Sequence, residues 1–130
     1  MRLTCAIIDD EPLAVSLLES YVLKTPFLDL QGTYNSALDA LSDLRDRPVD
    51  LLFLDICMKK LNGMETARKL RQIQCKVPII FLTASPDYAI ESYEVQASGY
   101  LLKPFSEEKL MKLLNMILKT DMKRRVAIKN

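Results

Sequence analysis

The apolar residues of the chain are concentrated in five short runs, each of which stops at a polar residue or a turn. The central run is Leu51 to Leu54, which is followed at once by the carboxylate of Asp55. Pro48 before the run and Asn62-Gly63 after it favour a strand over part of a buried helix. A strand that is apolar on both faces needs cover on both sides, which is typical of a parallel sheet between two layers of helices.

The other four runs predict strands over residues 4–8, 28–34, 78–82 and 99–102. The run over residues 28–34 alternates only partly between apolar and polar positions, as expected for a strand nearer the edge of a sheet. The first run is among the most continuously apolar. We therefore expect the first strand in the middle of the sheet, beside the strand that ends at Asp55.

Five helices are predicted between and after these strands. The first begins at Pro12 and runs to about Lys24, because proline suits the first helical turn. The others begin after residues that commonly cap helices: Ser36, Asn62, Ser85 and Ser106. Asn62 and Glu65 also have the spacing of a capping box.

The inner faces of these helices are predicted from apolar residues that recur at helical spacing. In chain order they are Ala14, Leu17, Leu18, Tyr21 and Val22; Ala37, Ala40, Leu41 and Leu44; Met64, Ala67, Leu70 and Ile73; Ala89, Ile90, Tyr93 and Ala97; and Leu110, Leu113, Leu114, Ile117 and Leu118. Crossovers between parallel strands are nearly always right-handed, so five such units wind into an α/β fold with helices on both faces of the sheet.

The composition fits one folded domain. Of 130 residues, 49% are hydrophobic, which is enough for a single core. The formal net charge is +1 and charges of both signs are mixed along the chain, so composition indicates neither a nucleic-acid surface nor an acidic tail. The longest uncharged stretch, residues 77–86, is too short to span a bilayer, and no signal-peptide pattern opens the chain. We therefore expect a soluble, cytoplasmic protein that does not enter membranes.

Two residue types limit the chemistry. Cys5, Cys57 and Cys75 are odd in number and widely spaced, which argues against a disulfide framework or a structural zinc site. Histidine is absent, which excludes His-based catalytic triads, His metal ligands and phosphohistidine chemistry within this chain.

The strand ends carry the residues that indicate function. Each follows or ends a predicted strand: Asp9, Asp10, Glu11, Asp55, Thr83 and Lys103. In an open parallel sheet the ligand site lies beyond the carboxyl ends of the strands, so we expect these side chains to meet at one edge.

Three aspartates at one edge would repel one another, which raises the pKa of at least one of them unless a cation lies among them. Oxygen ligands without His or Cys suit Mg²⁺, an ion that pairs readily with phosphate. A carboxylate can attack phosphorus to form an acyl phosphate, while Lys103 offers an ammonium and Thr83 a hydroxyl to the transferred oxygens. The set predicts magnesium-dependent phosphoryl chemistry.

Each of these residues has a simpler interpretation when taken alone. An Asp after a strand is more often a turn or cap residue than a nucleophile, Thr83 can be a turn residue, and Lys103 can be a solvated charge. Taken together, those interpretations require four strand ends to assemble the groups by accident. Asp9 and Asp10 also cannot both cap one helix, so we prefer the functional interpretation.

Five spaced motifs lie along the chain: Ile7-Ile8-Asp9-Asp10-Glu11-Pro12, Leu54-Asp55-Ile56, Leu61-Asn62-Gly63-Met64-Glu65, Phe81-Leu82-Thr83-Ala84 and Tyr100-Leu101-Leu102-Lys103-Pro104-Phe105. Through them the sequence, over roughly residues 3–120, resembles the receiver domain of bacterial two-component response regulators, especially the LytTR-associated subgroup. Several motifs in order are far more specific than any one of them.

The resemblance implies a fold and a metal site. The fold is a flavodoxin-like (βα)5 three-layer sandwich with a five-stranded parallel sheet of order 2-1-3-4-5. Asp55 is implied as the phosphoacceptor. Asp9, Asp10, Asp55 and the main-chain carbonyl of Cys57 are implied as ligands of Mg²⁺.

The resemblance also implies how the phosphoryl group is contacted and sensed. Thr83 and Lys103 are implied as phosphate contacts, and Thr83 and Tyr100 as the switch. A cis peptide bond is implied between Lys103 and Pro104.

One position departs from the family pattern. Met-Pro is common soon after the acceptor aspartate, whereas here Met58 is followed by Lys59. We expect a more mobile loop and an added cation that alters the lifetime of the acyl phosphate. No group that the chemistry needs is lost.

The implied function is a signalling switch and not an enzyme, since the chain accepts and loses its own phosphoryl group without turning over a separate substrate. The donor is a partner sensor histidine kinase. A homodimer through the fourth helix, fifth strand and fifth helix is expected.

Residues 1–120 would form the receiver domain and residues 121–130 the start of a linker. The linker would lead to a missing C-terminal effector, by resemblance a LytTR-type DNA-binding domain that regulates transcription. This domain itself is not expected to bind nucleic acid.

Other functions stay open. A stand-alone receiver that acts through protein contacts is the first alternative. An aspartate-nucleophile phosphatase of the haloacid dehalogenase type needs a second acid two residues after the nucleophile, where Cys57 stands. A flavin or nucleotide binder needs a Gly-, Ser- or Thr-rich loop after the first strand, where Asp9-Asp10-Glu11 would repel phosphate. A degenerate receiver is disfavoured by the complete set of site residues.

Overall fold

In the computed structural model of the chain, residues 2–58 and 61–122 are described. Their strands are β1 (Leu3–Ile8), β2 (Leu28–Tyr34), β3 (Leu51–Asp55), β4 (Ile79–Thr83) and β5 (Gly99–Leu102). Their α-helices are α1 (Pro12–Leu23), α2 (Ala37–Asp46), α3 (Gly63–Gln72), α4 (Ala89–Glu94) and α5 (Glu107–Ile117). A 3-10 turn, Pro86–Tyr88, precedes α4, and a π-helical turn, Leu118–Met122, follows α5. The alternation predicted from the sequence is confirmed.

The strands form one parallel sheet of order β2-β1-β3-β4-β5. β1 therefore lies between β2 and β3, as its apolar run predicts, and the flavodoxin-like fold is confirmed. In the pairing of β1 with β3, Ile8 lies opposite Leu54, so the next residues of both strands emerge side by side. This register brings the first and third strand ends together.

The sheet has a core on each face because successive side chains of a strand point to opposite sides. Phe53 of β3 belongs to the core that α1 and α5 cover, while Leu52 and Leu54 belong to the core beneath α2 and α3. All five residues of β3 are buried. Two-sided burial explains why this strand is apolar throughout until its last residue.

Most predicted caps are confirmed. Asn62 Oδ1 accepts a hydrogen bond from the main-chain N–H of Glu65, and Ser85 and Ser106 accept corresponding bonds at the next two helical starts. Ser36 stands at the predicted N-cap position of α2, but its side chain makes no capping hydrogen bond.

Several predicted inner-face residues point to solvent. In α4, Ile90 is 77% exposed and Tyr93 is 85% exposed, while Ser92 and the following Val95 are buried. The 3-10 turn before α4 has fewer residues per turn than an α-helix, so helical spacing counted from Pro86 selects the wrong face.

Two more helices differ from the prediction: the buried face of α1 is rotated slightly, and α3 is shorter than predicted. In α1, Leu17 is exposed while Val15 packs against the core. Ile73 is 73% exposed because α3 ends before it, at Gln72. The residues buried in the other predicted positions of these helices include Leu18, Val22, Met64, Ala67 and Leu70.

The predicted linker over residues 121–130 begins within the π-helical turn, and residues 123–130 lie outside the described part of the chain. Within the described ranges, no helix combines the length and the apolar character that a membrane span requires.

Candidate functional site

Carboxylates from two adjacent strands meet at the carboxyl edge of the sheet. Asp9 and Asp10 follow β1, and Asp55 is the last residue of β3. One carboxylate oxygen from each lies within 4.8 Å of the others. Asp9 and Asp55 are buried and Asp10 is half-buried. The structure thus brings together the three aspartates that the sequence predicts at this edge.

Lys103 follows the edge strand β5, and its side chain reaches the aspartate cluster. Its Nζ lies 2.9 Å from Asp9 Oδ2, 3.4 Å from Glu11 Oε1 and 3.5 Å from Asp55 Oδ1. Burial disfavours the charged ammonium, but the contact with Asp9 and the charges of Asp55 and Glu11 outweigh it, so the pKa of Lys103 is raised. The ammonium therefore remains charged among the carboxylates.

Local backbone structure positions Lys103. Its main-chain N–H donates to the carbonyl of Thr83 at 2.7 Å, which continues the pairing of β5 with β4 beyond the last strand residue. The Lys103-Pro104 peptide bond is cis, the form that the resemblance implies.

A buried oxygen of Asp9 tests whether the cluster suits a cation. Asp9 Oδ1 accepts a hydrogen bond from the N–H of Glu11 at 3.0 Å. Asp9 Oδ2 is buried without a hydrogen bond from the described residues, since its 2.9 Å contact with Lys103 is close but lacks hydrogen-bond geometry. Three carboxylates with such an oxygen can hold a metal ion, and an all-oxygen set suits Mg²⁺.

The pKa of Asp55 also indicates that the cluster favours a bound cation. Burial and then the charge of Asp9 raise the pKa of Asp55 from 3.8 to about 7, although the charge of Lys103 acts in the opposite direction. One ammonium therefore does not offset the combined effect of burial and the charge of Asp9 on Asp55. A bound divalent cation would lower the pKa of Asp55 and favour its ionised form.

Thr83 and Tyr100 contact the same residue. Thr83 is buried, and its Oγ1 accepts a hydrogen bond from the N–H of Ser85 at 3.1 Å. Tyr100 is half-buried, packs against the core beneath α2 and α3, and donates its hydroxyl to the main-chain carbonyl of Ser85. The sequence suggested that Thr83 and Tyr100 lie near each other, but its only signal for Ser85 was a helix cap.

Cys57 occupies the position where a phosphatase of the aspartate-nucleophile type needs its second acid. Its thiol is exposed and lies 4.0 Å from the hydroxyl of Tyr88, at the 3-10 turn that precedes α4. The role of its main-chain carbonyl at a metal stays a prediction. Lys59, the residue that departs from the family pattern, lies outside the described part of the chain.

Sequence reasoning missed the importance of Gly63. Its N–H donates to the carbonyl of Ile56 at 2.8 Å, and a Cβ at this position would lie 2.1 Å from the carbonyl oxygen of Asp55. Only glycine lets the start of α3 approach the backbone of the acceptor loop so closely. The Asn62-Gly63 pair was the available signal, and it predicted only a turn and a helix start.

Gly63→Ala should lower the free energy of unfolding by about 2 kcal/mol, because the added methyl group forces either α3 or the Asp55 loop to move. Urea denaturation followed by circular dichroism measures the change. Gly32→Ala is the control, since the three atoms nearest its Cβ all belong to the Tyr34 side chain and none to the backbone. Equal losses in the two variants would show that the approach to Asp55 is not the cause.

Comparison with known proteins shows which family has a site of this kind. The profile of the response regulator receiver domain matches residues 5–115. The chain is 36% identical over 108 residues to the sensory transduction protein LytT of Enterococcus faecalis, which covers 83% of the chain and 45% of that protein. It is 33% identical over 111 residues to the transcriptional regulatory protein YpdB of Escherichia coli, covering 85% of the chain and 46% of YpdB. The chain thus spans less than half the length of these curated relatives.

A solved structure of a response regulatory domain has the same fold. The crystal structure of the response regulatory domain of protein mrkE from Klebsiella pneumoniae superposes with a TM-score of 0.82 at 31% sequence identity, covering 89% of this chain and 95% of that one. The similarity to LytT is consistent with the LytTR-associated subgroup that the motifs suggest. With its strand order, its clustered aspartates and these matches, the chain belongs to the response regulator receiver domain family of two-component signal transduction.

Proposed function

We propose that Asp55 accepts a phosphoryl group from a partner sensor histidine kinase in a reaction that depends on Mg²⁺, and that the added charge switches an output. The observation that carries the proposal is the cluster of Asp9, Asp10 and Asp55, whose oxygens lie within 4.8 Å of one another beside the Lys103 ammonium. These 130 residues contain no histidine, so the donor lies outside them and is either the kinase or a small acyl phosphate.

The chemistry follows from the groups present. A carboxylate oxygen of Asp55 attacks phosphorus while the bond from phosphorus to the donor atom breaks, which leaves an acyl phosphate. Asp9, Asp10, Asp55 and the carbonyl of Cys57 would hold Mg²⁺, which when bound neutralises charge on the phosphoryl oxygens. Lys103 lies 3.5 Å from Asp55 Oδ1 and offers its ammonium to the same oxygens.

Asp55→Asn should abolish phosphorylation, because an amide is not a competent nucleophile. After incubation with acetyl phosphate or a phosphorylated kinase and Mg²⁺, the intact mass of the unsubstituted protein should rise by one phosphoryl group, whereas that of the variant should not change. Asp46→Asn, on the exposed end of α2, is the control and should be labelled normally. Labelling that survives Asp55→Asn would remove Asp55 as the acceptor.

We further propose that Ser85 links the phosphoryl group to Tyr100. A dianionic phosphoryl group attracts donors, and rotation of the Thr83 hydroxyl toward it would break the bond that Ser85 N–H now donates to Thr83 Oγ1. Tyr100 holds the carbonyl of the same residue, so a shift of Ser85 also changes the position of the ring. Phosphorylation would then shift the population of two existing arrangements of the start of α4.

The output is proposed to involve a homodimer. Large apolar side chains are exposed on the face formed by α4, β5 and α5, among them Ile90, Tyr93, Leu102 and Met116. Such exposed apolar side chains are consistent with a surface that a second copy of the chain covers.

Residues 1–120 are proposed as the receiver domain and residues 121–130 as the start of a linker to a LytTR-type DNA-binding domain. Support comes from the greater length of LytT and YpdB, while a stand-alone receiver is the alternative.

Thr83→Ala should separate phosphorylation from switching. The variant keeps Asp55 and should still gain one phosphoryl group. In the unsubstituted protein phosphorylation should strengthen dimerisation by about tenfold or more, a typical coupling between two sites, and the variant should lose this response. Sedimentation measures the dimer dissociation constant with and without phosphorylation. Thr33→Ala, at an exposed position of β2, is the control. A full response in Thr83→Ala would contradict the proposed link.

A further inference from the structure

A second cavity lies at the opposite end of the strands from the aspartate cluster. It is a groove between α2 and α3, near the amino end of β3, with a volume of about 390 Å³. Its floor is apolar and includes Leu44, Val49, Leu52, Leu70 and Val77. Three of these, Val49, Leu52 and Leu70, are buried members of the core on this face of the sheet, so the groove is an open flank of that core. The volume is in the range of small-molecule pockets.

The rim of the groove is cationic. The charged side chains that line it are Arg45 from α2 and Lys69 from α3, and the described lining contains no carboxylate. Arg45 Nε lies 3.8 Å from Asp46 Oδ1, but both side chains are largely exposed, so this pair is weak and leaves the guanidinium available. Ile73 lies beside the groove with most of its side chain in water. Two cations above an apolar floor are complementary to an anion that carries an apolar body.

We infer that this groove binds an aliphatic carboxylate of medium chain length, with its tail on the apolar floor and its carboxylate between Arg45 and Lys69. The planar guanidinium of Arg45 suits a carboxylate, and Lys69 adds a second positive charge. The tail would remove the floor and the side chain of Ile73 from water. A cavity at the lower end of the usual pocket range suits a tail of about ten carbons and not a membrane lipid. The site is separate from the aspartate cluster and does not depend on phosphorylation.

The three cysteines provide a direct report of occupancy. Cys75 lines the groove and is half-buried, while Cys57 is exposed at the other end of the strands. Cys5 is fully buried, and burial raises the pKa of its thiol to about 12, so it should not react with an alkylating reagent. A ligand in the groove should therefore slow alkylation of Cys75 alone, and Cys57 serves as the internal control.

The experiment measures alkylation of each cysteine in the native protein by mass spectrometry of its peptides, with decanoate added below its micelle concentration. At ten times its dissociation constant, decanoate should slow alkylation of Cys75 by about tenfold and leave Cys57 unchanged. Decyltrimethylammonium, with the same tail and a positive head, should give no protection at that concentration. Equal protection by the two amphiphiles, or no protection of Cys75, would overturn the proposal.

Charge reversal tests the rim. In Arg45→Glu/Lys69→Glu the dissociation constant of decanoate should rise by at least about fivefold, since two favourable surface charges become unfavourable. Lys109→Glu/Lys112→Glu on α5 makes the same change in net charge beneath the other face of the sheet and should leave the dissociation constant unchanged. Both pairs are exposed, and circular dichroism checks that each variant is folded.

Other results would assign the groove differently. An unchanged dissociation constant in Arg45→Glu/Lys69→Glu would remove the cationic rim from the site. Protection of Cys57 together with Cys75 would show a general effect of the amphiphile on the protein and would overturn the proposed site. If Cys75 were protected without any ligand as protein concentration rose, and sedimentation showed a dimer in step with it, a second copy of the chain would be the occupant and the proposal would be wrong.

Discussion

Asp55→Asn should raise the free energy of unfolding of the metal-free protein by about 3 kcal/mol near pH 8 and should give no increase near pH 4. The reason is the environment of the carboxylate, where burial and then the charge of Asp9 raise the pKa of Asp55 from 3.8 to about 7. A difference of this size corresponds to roughly 4 kcal/mol at most. The opposing charge of Lys103 is already contained in that pKa, so we expect a gain of about 3 kcal/mol, just below this limit.

The direction of the pH dependence follows from which state holds the proton more tightly. The folded protein binds the proton of Asp55 more tightly than the unfolded chain does, so the contribution of this group to stability is complete below about pH 3.8. That contribution is lost as the pH rises through about 7. The amide of the variant does not titrate, so its stability should not show this decline.

Urea denaturation at a series of pH values in the presence of a chelator measures both curves. Asp46→Asn is the control, because the Asp46 side chain is 77% exposed and should leave the curve unchanged. Saturating Mg²⁺ should flatten the decline in the unsubstituted protein, since a cation among the aspartates offsets their repulsion and binds only the folded state. Parallel curves for Asp55→Asn and the unsubstituted protein would contradict the raised pKa of Asp55.

Arg71→Met should lower the free energy of unfolding by about 3 kcal/mol, because one guanidinium satisfies several main-chain carbonyls that methionine leaves without a donor. Arg71 Nε donates to the carbonyl of Val95 at 2.8 Å, and Nη1 donates to the carbonyls of Cys75 and Val77 at 2.9 Å each. Nη2 lies 3.3 Å from the carbonyl of Gln96. The side chain thus ties the segment after α3 to the end of α4.

Arg68→Met is the matched control on the same helix. Arg68 forms a 2.9 Å ion pair with Glu91, but both side chains are more than 40% exposed, so its loss should cost less than about 1 kcal/mol. Thermal and urea unfolding of both variants test the difference. Arg71→Lys should recover only part of the stability, since an ammonium cannot reach all the carbonyls that the planar guanidinium contacts. Equal losses for Arg68→Met and Arg71→Met would show that Arg71 is an ordinary surface charge.

No signal in the sequence revealed the carbonyls that Arg71 contacts or the backbone that Gly63 approaches. The carbonyls that Arg71 contacts lie up to 25 positions away in the chain, at the ends of other elements. Gly63 was part of a helix-start motif, and only the packing of α3 on the loop after β3 shows why a side chain does not fit there. Contacts of this kind depend on the path of the whole chain.

The sequence by itself determined the order of strands and helices, most of the helix starts and the gathering of the acidic residues. These features rest on local patterns: apolar runs, capping residues, and the rule that parallel strands end at a common edge. Asp9, Asp10, Asp55 and Lys103 could be placed together because each ends a strand or lies within two residues of a strand end. Their proposed roles in phosphoryl transfer remain predictions for the experiments above.

The tertiary structure alone decided which helical faces are buried and how the site connects to the rest of the fold. The 3-10 turn before α4 rotates Ile90 and Tyr93 to solvent, which helical spacing counted along the sequence did not reveal. Ser85 as the shared partner of Thr83 and Tyr100, and the groove between α2 and α3, both arise from the packing of separate elements. The physical reason is that a local pattern specifies an element and its most apolar side, whereas its rotation and its neighbours follow from the packing of all the elements together.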